Sequence, residues 1–363
     1  MKILHVVRQF YPATGGLEDH VLNLAMQQVQ NLHEVTIFTL NKNFQNDENQ
    51  KKIDELKKIK IHRFSYIGSK RYPISFLSIK KFNQFDIIHI HALDFFLDYI
   101  SLLKRMGVVK KKVLVTTHGL FFHTKFLYFL KEIYFHTVTR FSLKKVNHVI
   151  SVSHQDKEKL KKIKIQSLYI PNGVIEQKFG LLKNRQNKNF KNYLFIGRPA
   201  PQKNLLNLIK YFQNLKMNDI TLTIIVPYVD KYVTKISNLI KNNDSKNIIL
   251  HSKISDDKIL KIIEKSDFVI SASTYEGFGI AIIELMSYGL IPILNNKVSP
   301  FKNFINQSNS GFLFNDEFSD FKNTIHSSLS SKSLEQMKKN SIKYSKLYSW
   351  ETISSQIMKL YKS

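Results

Sequence analysis

Two glutamates with a seven-residue spacer, Glu276 and Glu284, stand in the stretch Ser271-Ala-Ser-Thr-Tyr-Glu276-Gly277-Phe278-Gly279-Ile-Ala-Ile-Ile-Glu284. Gly277 and Gly279 let backbone N–H groups approach a ligand where a helix begins, the end that favours anions. Eight residues of helical rise span at most ~12 Å, so the two carboxylates can grip separate hydroxyls of one extended ligand. A capping Glu and a solvated Glu would be the ordinary explanation of such a pair. However, Ala281, Ile282, Ile283 and Leu285 surround Glu284, and a carboxylate among apolar neighbours is costly without a partner. A second group is Phe195-Ile196-Gly197-Arg198, followed by Lys203-Asn204. A strand delivers Arg198 to its carboxyl end and Lys203 stands at the start of a helix, cations well placed for a diphosphate. In a chain this rich in lysine, two surface cations are an equally good account of the spacing alone.

A third candidate is the Gly15-Gly16 pair in Phe10-Tyr-Pro-Ala-Thr-Gly15-Gly16-Leu17. It is no G-x-G-x-x-G fingerprint, which argues against a nicotinamide cofactor, yet it opens a helix where an anion or sugar can meet the backbone. His118 ends a strand in Thr116-Thr117-His118-Gly119, with His123 close behind. His89 and His91 alternate in Asp86-Ile-Ile-His89-Ile-His91. His-x-His suits a metal, but no third ligand is evident nearby, and hydrogen-bonded strand histidines are the preferred reading. No metal is expected.

The elements that must carry these residues follow from apolar patterning. Short runs at Ile3–Val7, Val35–Leu40, Ile59–His62, Ile87–Ile90, Val113–Thr117, His148–Val152 and Leu168–Ile170 predict strands, with an amphipathic helix over Leu17–Gln30. Pro171-Asn172-Gly173 is turn chemistry, and the polar stretch Lys183–Lys191 reads as a linker. The pattern then restarts, with strands at Tyr193–Ile196, Ile220–Val226, Ile248–Leu250, Phe268–Ser271 and Ile291–Leu294, and helices between them. Uninterrupted apolar strands separated by helices imply parallel sheets covered on both faces. The expected architecture is therefore α/β, with two doubly wound Rossmann-like domains, residues 1–175 and 176–345, and a C-terminal helix, 346–363. Two such domains would hold a ligand in an interdomain cleft, at the carboxyl ends of their strands.

Composition narrows the partners. The 363 residues contain 55 Lys+Arg against 28 Asp+Glu, a formal charge of +27, and no cysteine. Disulfides, thiolate metal sites and a Cys nucleophile are excluded. No apolar stretch approaches the ~18 residues of a bilayer span, and the N-terminus lacks a signal-peptide pattern; a cytoplasmic location is expected. The charge calls for a polyanion. Lys57, Lys58, Lys60, Arg63, Lys70, Arg71, Lys80, Lys81, Lys104, Arg105 and Lys110–Lys112 crowd the first domain, and Leu120–Lys145 mixes Phe121, Phe122, Phe126, Tyr128, Phe129, Tyr134 and Phe135 with Lys125, Lys131, Arg140, Lys144 and Lys145. Basic residues with aromatics suit an anionic membrane surface, and a buried aromatic core ringed by lysines is the equal alternative. No nucleic-acid module is evident, so nucleic acid is not an expected partner.

Taken in order, the Gly15-Gly16 turn, Thr116–Gly119, Ile170-Pro-Asn-Gly-Val174, Gly197-Arg198…Lys203-Asn204, the Glu276…Glu284 pair and Tyr348-Ser-Trp350-Glu351 resemble the family 4 retaining glycosyltransferases of GT-B fold. Thr116–Thr124 and Ser273–Ala281 are most similar to mannosyltransferases of xanthan- and acetan-type exopolysaccharide assembly. The resemblance implies a GDP-mannose donor, a polyprenyl-diphosphate-linked acceptor, and a last helix that returns to the first domain. By the same resemblance, Arg198, Lys203 and Gly16 would meet the donor diphosphate, and Glu284 the ribose. Glu276, with the backbone of Gly277, Phe278 and Gly279, would hold the transferred sugar, which His118 would contact near the reacting carbon. No cofactor is expected beyond the donor substrate, and the lack of an Asp-x-Asp signature argues for metal-independent transfer on the inner face of the plasma membrane. Competing readings are a sugar-nucleotide epimerase of the same fold, a soluble sucrose- or glycogen-type synthase, and a basic nucleic-acid-binding protein that would leave the glutamate pair idle.

Overall fold

The computed structural model describes residues 1–13, 15–70, 72–77, 79–120, 128–182, 190–243 and 245–363. Arg71, residues 121–127 with His123, and residues 183–189 of the expected linker lie outside the described residues. The chain divides into two compact units, the first formed by Met1–Gly173 with Trp350–Ser363, the second by Val174–Ser349.

Unit 1 is built on an eight-stranded sheet. Its strands are β1 (Lys2–Val6), β2 (Glu34–Leu40), β3 (Ile53–Leu56), β4 (Ile59–Phe64), β7 (Ile87–His91), β8 (Lys112–Thr116), β9 (His148–Ser151) and β10 (Leu168–Tyr169), with a separate hairpin of β5 (Ile67–Ser69) and β6 (Tyr72–Ile74). Their order is β10-β9-β8-β7-β1-β2-β4-β3, all parallel except the β3–β4 pair. Alternation fails in β1 and β7 because both faces are covered: Ile3, Leu4, Val6, Ile87, Ile88 and Ile90 are all buried, as expected for parallel strands between helices. The terminal helix Trp350–Lys362 lays Trp350, Ile353, Ile357 and Tyr361 into the same core as Ile3, Leu24, Ile87 and Leu114. Gly173 must be glycine, since a Cβ there would sit 2.4 Å from the Trp350 ring.

Unit 2 carries a six-stranded, wholly parallel sheet. Its strands are β11 (Asn192–Ile196), β12 (Thr221–Val226), β13 (Ile248–Ser252), β14 (Phe268–Ser271), β15 (Ile291–Asn295) and β16 (Phe312–Phe314). Their order, β13-β12-β11-β14-β15-β16, is the 3-2-1-4-5-6 arrangement of dinucleotide-binding sheets, whose direction of winding reverses between the first and fourth strands. Ligands of such sheets bind beyond the carboxyl ends of those two strands, here β11 and β14.

The short strands β3, β5, β6 and β16 have no counterpart in the sequence patterning. β5 is exposed throughout and β3 alternates exposed with half-buried positions, so neither has the continuous apolar run that marks a buried parallel strand, and β6 and β16 are only 3 residues long.

Candidate active site

In unit 2 the sequence candidates converge on the point where the winding reverses. Arg198 follows β11 by two residues, and Glu276 lies in the loop after β14. Pro201–Lys203 forms a single 3₁₀ turn and Asn204 is left-handed (φ 54°), so the α-helix begins at Leu205 and Lys203 stands just before it. Two strand-end loops meet here: Thr274 N–H donates to Gln202 O at 2.8 Å. Lys203 Nζ then reaches Glu276 Oε1 at 2.5 Å, and the Ser273 hydroxyl donates to the same oxygen at 2.9 Å. The pair is mostly screened, with side chains 20% and 14% exposed, so Glu276 Oε1 is well satisfied and held in place. Arg198, in contrast, is exposed and has no hydrogen-bond or ion-pair partner among the described residues.

The Glu-Gly-Phe-Gly loop is locked by packing. Phe278 is buried against Phe304 and Tyr348, which leaves only its backbone for a ligand. Gly279 caps the helix Ile280–Met286 in a left-handed conformation (φ 99°), and a Cβ would stand 3.1 Å from Phe301. Gly277 has open space where a side chain would be. Glu284 is 7% exposed inside that helix. The partner that burial demands is Lys178, whose Nζ lies 3.3 Å from Glu284 Oε1. Sequence reasoning missed Lys178, because no local pattern links it to a residue 106 positions away.

Unit 1 holds the other candidates. Gly15 and Gly16 open the helix Gly16–Gln30 after β1; nothing lies within 4 Å of where a Gly16 side chain would begin, whereas one at Gly15 would strike Glu18. His118 follows β8 with a left-handed backbone (φ 52°), and Gly119 is left-handed too. Buried Asp156 pins this turn, its Oδ2 accepting from Thr117 Oγ1 at 2.5 Å and from Gly119 N at 3.1 Å. A non-glycine residue held at positive φ stores strain of order 1–3 kcal/mol, which the Asp156 contacts help sustain. Asp94, beyond β7, caps the helix Phe95–Arg105. Burial lifts its carboxyl to about 6, and its Oδ2 has no partner among the described residues.

The histidines differ from the sequence reading in one respect. Three further imidazoles, His5, His20 and His118, do join the His89-x-His91 pair; His5 does so because β1 runs beside β7 with His5 in register with His89. The trios His5, His89, His91 and His20, His91, His118 each bring nitrogens within 4.8 Å of one another. In the first trio every ring nitrogen already has a hydrogen-bond partner: Gln28, Tyr361, Thr116, His118 or a neighbouring imidazole. His89 and His91 are thus hydrogen-bonded strand histidines, as anticipated.

Comparison with known proteins resolves the family. Residues 14–178 match the family described as Glycosyltransferase Family 4, and residues 180–344 match Glycosyl transferases group 1. A GDP-mannose:cellobiosyl-diphosphopolyprenol alpha-mannosyltransferase of Xanthomonas campestris is 33% identical over 322 residues, 87% of this chain and 83% of the relative. The chain belongs to glycosyltransferase family 4. A protein of the same description from Komagataeibacter xylinus is 32% identical, covering 87% of this chain and 80% of the relative. Among solved structures, sucrose-phosphate synthase of Thermosynechococcus elongatus superposes with a TM-score of 0.75 at 17% identity, over 99% of this chain and 98% of that one. The Anabaena HepE structure in complex with UDP gives the same score at 15% identity, covering 100% of both chains. This glycosyltransferase therefore has the GT-B fold, and it is an enzyme of the hexosyltransferase type.

Proposed function

We propose that this glycosyltransferase moves mannose from GDP-mannose to a polyprenyl-diphosphate-linked oligosaccharide during assembly of a surface polysaccharide, with retained anomeric configuration and without a metal. The observation that carries the reading is the convergence of Arg198, Lys203 and Glu276 on the β11/β14 reversal point, where a sheet of this order binds a nucleotide. The 33% identical mannosyltransferase supports the donor and the acceptor class.

In this reading Arg198, exposed and without a partner among the described residues, takes the diphosphate, assisted by Lys203. Glu276 accepts hydrogen bonds from hydroxyls of the transferred sugar, while Gly277–Gly279 supply backbone donors. Glu284, its charge balanced by Lys178, holds the ribose hydroxyls. In unit 1, His118 offers a ring nitrogen to a substrate hydroxyl. The bond between the anomeric carbon and the diphosphate oxygen breaks with its electron pair leaving on the phosphate. The acceptor oxygen forms the new bond and its proton passes to the departing phosphate. Fixed positive charge on the leaving group supplies the electrostatic stabilisation that a metal would otherwise give.

The acceptor class implies work at a membrane surface, and unit 1 has a suitable face. No described helix is long and apolar enough to cross a membrane. Along Tyr128–Leu143, Phe129 is 75% exposed and Phe141 55%, while Phe135 turns into the core. Arg105 lies 3.6 Å over the Phe141 ring, and Met106 is 67% exposed. Exposed aromatics among Lys and Arg suit docking on anionic headgroups, and this supports a location on the inner face of the plasma membrane.

The decisive experiment supplies the purified enzyme with GDP-mannose, UDP-glucose or ADP-glucose and a polyprenyl-diphosphate disaccharide, and follows the product by mass. Mannosylation from GDP-mannose alone is expected. Transfer only from another donor overturns the donor assignment, and donor conversion without an acceptor would make the enzyme an epimerase.

A further inference from the structure

We propose that Gln28, His5 and His91 form a tautomer relay that holds His118 with its proton on Nε2 and its lone pair on Nδ1, so that His118 meets substrate as a hydrogen-bond acceptor for a sugar hydroxyl. The proposal rests on the reading of His118 as a site residue and deepens it.

A neutral imidazole has one N–H donor and one acceptor nitrogen. In a chain of neutral imidazoles, the direction of one hydrogen bond therefore fixes the direction of the next. Four links are present. His5 Nε2 lies 2.7 Å from Gln28 Oε1, His5 Nδ1 lies 2.8 Å from His91 Nε2, and His91 Nδ1 lies 2.9 Å from His118 Nε2. Gln28 Nε2 donates to the Tyr361 hydroxyl at 3.3 Å, which turns the amide oxygen toward His5. An amide oxygen only accepts, so His5 carries its proton on Nε2 and accepts at Nδ1. His91 must then donate from Nε2 and accept at Nδ1. His118 donates its Nε2 proton to His91, and Nδ1 keeps a lone pair with no partner among the described residues.

The second branch from Gln28 closes without conflict. Tyr361 accepts from Gln28 and donates to His89 Nδ1 at 2.7 Å, so the His89 proton sits on Nε2 and is donated to Thr116 Oγ1 at 2.7 Å. His20 is set separately: its Nδ1 proton goes to Asn172 Oδ1 at 3.1 Å, leaving a buried, unpartnered Nε2 acceptor. Its ring stands edge-on to His118, with centroids 4.4 Å apart, and fixes the plane of the His118 ring. Burial pushes His5 down to about 4 and His20 to about 3, and drives His89, His91 and His118 well below the ordinary histidine value. The neutral rings that the relay requires are thus the ones present at neutral pH. His5, His91 and Gln28 are positioning residues, and only His118 would touch substrate.

The test reads ring nitrogens directly. Long-range proton–nitrogen correlation spectra of full-length enzyme with ¹⁵N-histidine are expected to show one neutral tautomer for His118, with a pyridine-type Nδ1. The Gln28→Leu variant should give mixed tautomers at His118 and a kcat reduced roughly tenfold, with the donor KM unchanged, since a misplaced imidazole proton impairs turnover more than binding. Wild-type His118 with its proton on Nδ1, or with both tautomers comparably populated, overturns the relay. So does stoichiometric zinc binding that shifts the His5 and His91 nitrogens, which would make the cluster a metal site. The His118→Ala variant separates the two levels: wild-type transfer rates in that variant would remove His118 from the site, while the wild-type tautomers would still report on the relay.

Discussion

Lys203, Glu276 and Ser273 form one unit, so single substitutions there act on a preset geometry. Glu276→Gln keeps the size and removes the charge; we expect turnover to fall by roughly a hundredfold or more, the scale for losing a charged group at the reacting centre. Unaltered turnover in Glu276→Gln would remove that residue from the sugar site. Lys178→Met acts differently. It removes the half-exposed ion pair that Lys178 makes with Glu284, so nucleotide affinity measured by calorimetry should fall several-fold and the protein should lose about 1 kcal/mol or less. At this scale the sequence was informative about residue types. Glu276, Arg198 and His118 each lie at a strand end, as expected, and the apolar neighbours of Glu284 correctly implied a missing partner. Lys178 as that partner was not legible, because the contact joins segments that no periodicity relates.

The elements show which local rules govern the site. Gly279 has a φ that L-residues rarely adopt, and its would-be Cβ faces Phe301 and Phe304. Gly279→Ala should therefore cost about 1–2 kcal/mol in unfolding free energy and reduce turnover by disturbing Gly277 and Glu276; a denaturant titration and an activity assay check both. The segment Tyr128–Leu143 obeys the opposite logic, since its phenylalanines at 129 and 141 contribute little to the core. The double substitution Phe129→Asp with Phe141→Asp should leave the melting temperature within about 2 °C, as surface changes usually do, and abolish cosedimentation with vesicles rich in anionic lipid. Retained vesicle binding would sink the docking face. The amphipathic helices and buried strands were legible because their periods, or the lack of one, are local. The strands β3, β5 and β6 were not, for they are short and lack a continuous apolar run.

For the whole molecule, two quantities set the response to conditions. A net charge of +27 would make the proposed docking on anionic vesicles salt-dependent, since the Debye length shrinks from ~10 Å at 0.1 M to ~3 Å at 1 M. Binding should weaken steeply across that range. The buried histidines set the acid limit. Their folded pKa values are depressed, to about 4 at His5 and about 3 at His20, from the ordinary 6.5. The unfolded chain thus binds more protons, and stability falls as pH drops from 6.5 toward 4. Melting temperatures measured from pH 8 to pH 4 should be flat above about 7 and decline below 6.5, with unit 1 unfolding first. A pH-independent melting temperature across that interval would mean that the imidazoles are not held neutral.

The sequence by itself determined the two α/β halves, the family, and the residue types able to bind a diphosphate and sugar hydroxyls. Each of these is written in spacings of a few residues, in hydrophobic period and in strand-end position. Only the tertiary structure decided the strand order that makes β11 and β14 neighbours, and so brings Lys203 to Glu276. It also decided the parallel register of β1 and β7 that sets His5 beside His89 and completes the histidine chain. Strand order and register depend on which of many apolar faces pair across long loops, and a single sequence read along its length does not contain that pairing in any local form.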